Sequence, residues 1–147
     1  MNSRFAGIFA LPIVLAACMS SNVQHYGEID ATDKTITVPF GNSLLVGELK
    51  QRLRNDGWRM AVDRGPSVTQ GRVGDSTRLE SFDTFNTRYR LLVRASQYDY
   101  CINFSPAIAY DVSLIDNKTG EEIIAQSGRD CLNWAAEKFM DALKSKP

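Results

Sequence analysis

The fold is decided by residues 107–120, which read AIAYDVSLIDNKTG. Apolar side chains occupy alternate positions of the first part, and a period of two predicts a strand with one buried face; they are Ile108, Tyr110, Val112 and Leu114. The second part, DNKTG at 116–120, is rich in residues that form tight turns. This stretch therefore predicts one strand of a hairpin and the turn that closes it.

The segments on either side extend the same sheet and add a helix. Residues 122–127 predict the returning strand of the hairpin. Before the hairpin, a second alternating run predicts a neighbouring strand with four residues on one face: Tyr89, Leu91, Val93 and Ala95. After it, with Asp130 as a candidate cap, helical spacing of four apolar residues predicts a C-terminal helix: Leu132, Ala136, Phe139 and Leu143.

The N-terminal half predicts a strand, a helix and a second strand. Residues 35–38 read TITV, which is typical of a strand, and Pro39 ends it. Three leucines four positions apart predict an amphipathic helix that stops at Gly57: Leu45, Leu49 and Leu53. Residues 58–63 alternate again and predict a half-buried strand. Glycine and proline interrupt residues 64–86, which predict a long loop or an irregular hairpin.

The order of these elements predicts an α+β fold. We expect a small, mostly antiparallel sheet with two helices packed on it, forming a single domain over residues 34–147. The chain has 147 residues, of which 44% are hydrophobic, and this composition is enough to build one core.

The first residues carry a targeting signal. Arg4 precedes a largely apolar run over residues 5–14, and small residues follow, as in a secretory signal. The apolar run is too short to span a bilayer comfortably, and Pro12 disfavours a lasting membrane helix. Residues 1–17 are therefore predicted to be a signal peptide.

The four residues Leu15-Ala16-Ala17-Cys18 resemble the lipobox of bacterial lipoproteins. The resemblance implies diacylglycerol on the Cys18 thiol, cleavage before Cys18 and acylation of the new amine by a fatty acid such as palmitate. Several acyl chains make an effectively permanent membrane anchor. An ordinary secretory signal with a coincidental cysteine is the alternative.

The sorting rule of that family concerns the residue after the lipidated cysteine, where Asp favours retention at the inner membrane. Here Met19 occupies that position, so the resemblance implies the outer membrane, with the protein facing the periplasm. Residues 18–33 are mostly polar and predict a lipidated tether.

Two cysteines remain once Cys18 is lipidated, and they are Cys101 and Cys131. An exported chain enters a compartment where disulfides form, so we expect these two to pair and to staple the last hairpin and helix to the sheet. A redox pair is a weaker alternative because the C-x-x-C spacing is missing. Free or intermolecular thiols stay open.

The sequence offers little for catalysis, and we expect no enzymatic activity, metal or cofactor. The single histidine, His25, lies in the predicted tether, whereas hydrolytic triads and zinc sites need histidine in a built site. Glycosidase carboxylates could come only from acidic residues such as Asp99, Asp111, Glu121 and Glu122. Seventeen basic and seventeen acidic side chains balance, which gives no electrostatic attraction for nucleic acid.

Two groups of residues are candidates for binding a partner. An aromatic cluster beside the predicted disulfide is typical of binding hot spots: Tyr98, Tyr100 and Phe104. A basic row on one strand could meet an acidic partner or a phosphate-rich glycolipid: Arg88, Arg90 and Arg94. The alternatives are core packing for the aromatic residues and a solvated sheet face for the arginines.

Residues 107–120 together with 129–131 resemble the disulfide-closed hairpin of small α/β secretin pilotins, which are outer-membrane lipoproteins. The helix at 44–55 departs from that pattern. With the last hairpin and helix, it is similar instead to small outer-membrane lipoproteins and, distantly, to activator lipoproteins of peptidoglycan synthases.

These resemblances imply a non-enzymatic outer-membrane lipoprotein that acts as a protein-binding accessory or assembly module of an envelope complex, in secretion, conjugation or cell-wall machinery. The alternative is a lipoprotein that binds lipid, glycan or lipopolysaccharide, which would need a deep apolar pocket. A cell-wall hydrolase is a third hypothesis and requires two close carboxylates.

Overall fold

The computed structural model describes residues 20–63, 67–71, 77–81 and 86–145. The predicted signal peptide and Cys18 lie outside the described residues. In the described ranges, neither helix is long and apolar enough to cross a bilayer. The elements run in this order: β1 (Ser20–His25), β2 (Thr35–Pro39), α1 (Leu44–Asn55), β3 (Arg59–Asp63), β4 (Ser67–Gly71), β5 (Thr77–Ser81), β6 (Tyr89–Tyr100), β7 (Pro106–Asp116), β8 (Glu122–Cys131) and α2 (Leu132–Lys144).

Six strands form one mixed sheet in the order β1-β8-β7-β6-β2-β3. The pairs β1–β8, β8–β7 and β7–β6 are antiparallel, whereas β6–β2 and β2–β3 are parallel. The α+β fold with two helices is confirmed, but the expectation of a mostly antiparallel sheet is wrong. The reason is the segment β2–α1–β3, in which a helix carries the chain back so that both strands run in the same direction.

Both helices pack on one face of this sheet. Leu45, Leu49 and Leu53 of α1 are buried, and α2 contributes a second buried stripe that includes Phe139. The strands supply the opposing surface from alternate positions: Ile36, Val38, Tyr89, Leu91, Ile108, Tyr110, Val112 and Leu114. Each fully buried side chain of this size contributes roughly 1.5–3 kcal/mol, so this single layer dominates the stability of the fold.

The predictions for three further segments were confirmed only in part. The loop at 64–86 contains the antiparallel hairpin β4–β5, as one of the two expectations had it. Residues 59–63 form a strand, but its Val62 is exposed. Helix α2 begins after Cys131 rather than after the predicted cap Asp130, whose carboxylate instead accepts a hydrogen bond from the Cys131 N–H at 2.9 Å.

Strand β1 corrects the predicted tether. Residues 18–33 were expected to be a polar linker, but Ser20–His25 pairs along its whole length with β8, from Ser20 opposite Arg129 to His25 opposite Ile124. Backbone hydrogen bonds hold an edge strand whatever its side chains are, and one face of this strand is exposed, so polar residues are tolerated there. The polar composition of residues 20–25 therefore gave no signal of a strand.

The close approach of β1 to β8 depends on the glycine at position 128 of β8. A Cβ added there would lie 2.2 Å from the Ser20 carbonyl oxygen and 2.7 Å from the Ser21 Cα, and the φ of Gly128 is +152°. Both the contact distance and the backbone conformation favour glycine at this position.

We expect Gly128→Ala to displace β1 from the sheet and to cost about 1–3 kcal/mol of stability. Hydrogen exchange should then show faster exchange of the amides of residues 21–25, with β6 and β7 unchanged. Gly120→Ala is the matched control, because Gly120 also has a positive φ, of +76°, but faces open space. Equal protection of β1 in both variants would contradict this role of Gly128.

Asp56 ties the end of α1 to two other elements. Its carboxylate accepts a hydrogen bond from the Lys34 ammonium at 3.0 Å and lies 3.5 Å from the Lys144 ammonium at the end of α2. The Trp58 indole N–H donates to the same carboxylate at 3.3 Å. The hydrogen bond from Lys34 is the largest effect and lowers the pKa of Asp56 below its usual 3.8. Burial opposes it, and the charges of Lys34 and Lys144 add smaller effects in the lowering direction.

We expect Asp56→Asn to destabilise the fold by about 1 kcal/mol or less at pH 7. The folded-state pKa is lowered, so the carboxylate stabilises the fold above its unfolded pKa, and this contribution is lost as the pH falls through the folded value. The difference between variant and wild type in urea unfolding should therefore shrink below about pH 4. A difference that persists at pH 2 would contradict this role of the Asp56 carboxylate. An equal loss of stability in Glu137→Gln, which removes an exposed carboxylate, would contradict it as well.

Candidate interaction surfaces

Strands β6 and β7 are joined by a short loop that is held on two sides. Within the loop, the Cys101 N–H donates to the Ser105 carbonyl at 2.8 Å and the Phe104 N–H donates to the Cys101 carbonyl at 2.9 Å. The predicted disulfide between Cys101 and Cys131 is present and ties the loop to the start of α2. The Ser105 hydroxyl also donates to the Asn133 Oδ1 at 2.6 Å, so the loop is fastened to the first turn of that helix.

The apolar residues of this end of the sheet face outward, and we call them the aromatic tip: Tyr98, Tyr100, Ile102 and Phe104. Tyr100 is 66% exposed, Phe104 is 88% exposed and Ile102 is fully exposed. The alternative that the aromatic residues pack into the core is therefore wrong. Ile102 was not among the predicted binding residues, although its position within the charge-free run after Asp99 was a usable signal.

The predicted arginine row divides into two kinds of residue. Arg88 pairs with the buried carboxylate of Asp116 at 2.5 Å, and Arg90 pairs with Asp63 of β3. Both guanidinium groups hold neighbouring segments of the fold together. Arg94 lies further along β6, is exposed, and lines a cleft. The structure therefore retains only Arg94 as a candidate for binding.

That cleft, which we call the notch, lies where β2 ends beside the longer β6. Its volume is about 440 Å³, and it is lined by Pro39, Phe40, Asp63, Leu91, Leu92, Val93 and Arg94. Phe40 is 80% exposed and Leu92 is also exposed. The notch combines an apolar floor with one cation and one carboxylate at its rim. Phe40 and Leu92 were not among the predicted binding residues, because their exposure follows from where β2 stops relative to β6.

Among the acidic residues considered for glycosidase chemistry, Asp99, Asp111 and Glu122 are far apart in the sheet, and Glu121 directly precedes Glu122 at the start of β8. Asp99 lies opposite Ala107 of β7 and Glu122 lies opposite Ile115, with Asp111 midway between those positions. Four residues of strand span roughly 13 Å, more than the separation of glycosidase carboxylates. In the described ranges there is also no cluster of three or more potential metal ligands. His25 Nε2 lies 3.2 Å from the Ser145 hydroxyl, at the opposite end of the sheet from the aromatic tip.

Comparison with known proteins bears on the fold. No protein-family model and no curated protein matches the chain. Solved structures of PelC from Paraburkholderia phytofirmans are similar to it. The PelC dodecamer in space group P6 has a TM-score of 0.51 and 12% identity over 84% of this chain and 95% of that chain. A single-substitution variant of the PelC dodecamer, in space group C2, has a TM-score of 0.50 and 12% identity over 86% and 94%. The chain therefore shares the fold of PelC.

We expect the disulfide to stabilise this fold by about 3–4 kcal/mol, because it closes a loop of 30 residues. Reduction should lower the midpoint of urea unfolding, and the double variant Cys101→Ser/Cys131→Ser should unfold at the same lower midpoint whether or not reductant is present. Hydrogen exchange should also increase in residues 101–105. An unchanged midpoint after complete reduction would show that the loop is held by its other contacts alone.

Proposed function

We propose that this chain is a non-enzymatic accessory protein of the bacterial envelope, anchored by lipid at Cys18 to the outer membrane and facing the periplasm, where it binds a protein partner in a larger assembly. The observation that carries the proposal is the open edge of β6 beside the notch. The lipobox resemblance supports the anchor, and the similarity of the fold to PelC is compatible with assembly.

The edge of β6 on the side of β2 is only partly used. Strand β2 pairs with β6 at Tyr89 and Arg90, whereas β6 continues to Tyr100. In the described part of the chain, no strand pairs with this side of β6 beyond Arg90. An unpaired strand edge presents free N–H and C=O groups, and an added strand is a common way to bind a protein.

The side chains around this edge suit a protein partner better than a small ligand. Phe40 and Leu92 are large, exposed and apolar, and Arg94 adds a charge beside them. Aromatic residues and arginine are enriched among residues that dominate binding energy. The notch is open to solvent, whereas a site for an acyl chain or lipopolysaccharide is a pocket that encloses most of its ligand.

The solved PelC structures are dodecamers, so this fold is compatible with assemblies of many subunits. The candidate partners are therefore of two kinds, further copies of this chain and other envelope proteins. The two cases differ in the mass of the crosslinked product.

Site-specific photocrosslinking in intact cells tests this proposal. A benzoylphenylalanine residue replaces Phe40 in the full lipoprotein, and the same residue at Tyr26 is the matched control, because Tyr26 is an exposed aromatic residue outside the notch. We expect a discrete protein adduct from position 40 only, and mass spectrometry should identify the partner. Adding Leu92→Ser should reduce the adduct by about tenfold, which corresponds to the loss of one hot-spot contact of about 1.4 kcal/mol.

Equal adducts from positions 40 and 26 would show non-specific proximity and would contradict binding at the notch. Copurification of lipid or glycan without any protein adduct would support the ligand-binding alternative instead. Thermal unfolding of the Leu92→Ser variant is the control for folding, because Leu92 lies on the solvent face of the sheet and its replacement should leave the unfolding temperature unchanged.

A further inference from the structure

We infer that the aromatic tip contacts the bilayer that holds the lipid anchor, so that Tyr98, Tyr100, Ile102 and Phe104 rest in the headgroup region. This inference rests on the proposed anchor at Cys18 and deepens it, because it assigns the end of the domain that faces the membrane. It also separates the aromatic tip from the notch, which is left for a protein partner.

The sheet register puts the start of β1 at the same end as the aromatic tip. Ser20 lies opposite Arg129 of β8, which lies opposite Ala109 of β7, which lies opposite Ser96 of β6. These four residues form one row across the sheet. Strand β6 continues from Ser96 towards the aromatic tip, in the direction from which β1 enters the sheet.

The length of chain before β1 then limits where the anchor can lie. Cys18 precedes Ser20 by two residues, and two residues span at most about 7 Å. Tyr100 pairs with Pro106, three rows beyond the Ser96–Ala109 pair because β6 bulges between Gln97 and Asp99, and so lies roughly 10 Å further along the sheet. Even a fully extended connection therefore leaves Cys18 short of the level of Tyr100. When the lipid on Cys18 is in the bilayer and the strands stand upright on it, the aromatic tip reaches the membrane surface.

The chemistry of the aromatic tip suits the interface between lipid and water. The run from Tyr100 to Ile108 contains no charged side chain, so this part of the aromatic tip enters the headgroup region without desolvating an ion, whereas the exposed Asp99 stands between Tyr98 and Tyr100. Tyrosine and tryptophan favour this region because each has an apolar ring and a polar group. Trp134 is exposed on the first turn of α2, next to the Asn133 that bonds the loop.

The same end carries Arg129 beside the aromatic tip and has a stiff scaffold. The Arg129 guanidinium lies 5.7 Å from the centre of the Tyr98 ring, at the base of the aromatic tip, where it can meet a lipid phosphate. The Cys101–Cys131 disulfide fixes the loop to α2, so the exposed apolar residues do not have to be ordered on contact with lipid. Because the proposed anchor already holds this end of the domain at the bilayer, the aromatic tip needs little affinity of its own for lipid.

Fluorescence quenching by brominated lipid tests the inference on the mature, acylated protein. The protein is reconstituted in vesicles of phosphatidylethanolamine and phosphatidylglycerol with brominated acyl chains. Ile102→Trp puts a reporter on the aromatic tip, and Tyr26→Trp puts one at the opposite end of the sheet. Trp58 and Trp134 are common to both variants. We expect the added fluorescence of Ile102→Trp to be quenched several-fold more strongly than that of Tyr26→Trp.

Mass spectrometry of the N-terminal peptide separates failure of the inference from failure of the anchor. Equal, weak quenching at both positions in protein that is acylated at Cys18 would overturn the inference and leave the proposed function standing. A protein adduct from a photocrosslinker at Ile102 in intact cells would also overturn it and assign the aromatic tip to a protein partner. Protein that is not acylated at Cys18 would overturn the anchor and the inference together.

Discussion

Burial of the apolar face shared by β6 and β7 holds the rest of the molecule in place. Leu91 faces Leu114 and Val93 faces Val112 across this ladder, and both helices cover the surface that these pairs form. Buried polar groups then fix the position of the covering elements. The Gln126 amide donates to the Tyr110 hydroxyl at 2.9 Å and to the Ala135 carbonyl at 3.1 Å, which ties α2 to the sheet. The Tyr89 hydroxyl accepts from the Asp30 N–H at 2.7 Å and thereby positions the chain before β2.

The parts of the fold that could be predicted are those whose side chains alternate between core and solvent. The strands at 89–95 and 106–116 and both helices have that pattern, since most of their apolar residues are the ones that the core buries. Strand β1 could not be found in this way, because Ser20–His25 is held by its backbone and carries mostly polar side chains. The parallel direction of β2 and β3 depends on the path of the chain through α1, which side-chain periodicity does not encode.

The candidate sites also divide into features that the sequence predicts and features that only the assembled sheet reveals. The disulfide between Cys101 and Cys131 was predictable because the predicted signal peptide implies export, and with Cys18 set aside for lipid the other two thiols have one way to pair internally. The roles of the three arginines were not predictable from one strand alone. Their partners, Asp116 and Asp63, come from other strands, so only the assembled sheet shows that two of the three arginines are structural. The notch likewise exists because β2 is shorter than β6, a relation between two distant segments.

The docking of β1 also determines how the domain would respond to mechanical load. A pull on the chain ahead of Ser20 acts along the axis of β1, which is antiparallel to β8 over six paired residues. The hydrogen bonds of that ladder lie perpendicular to the strands, so a force along the axis shears all of them together instead of opening them one after another. A flexible linker in place of β1 would not resist this force. The edge strand thus acts as a stiff coupling between whatever holds the N-terminus and the body of the sheet.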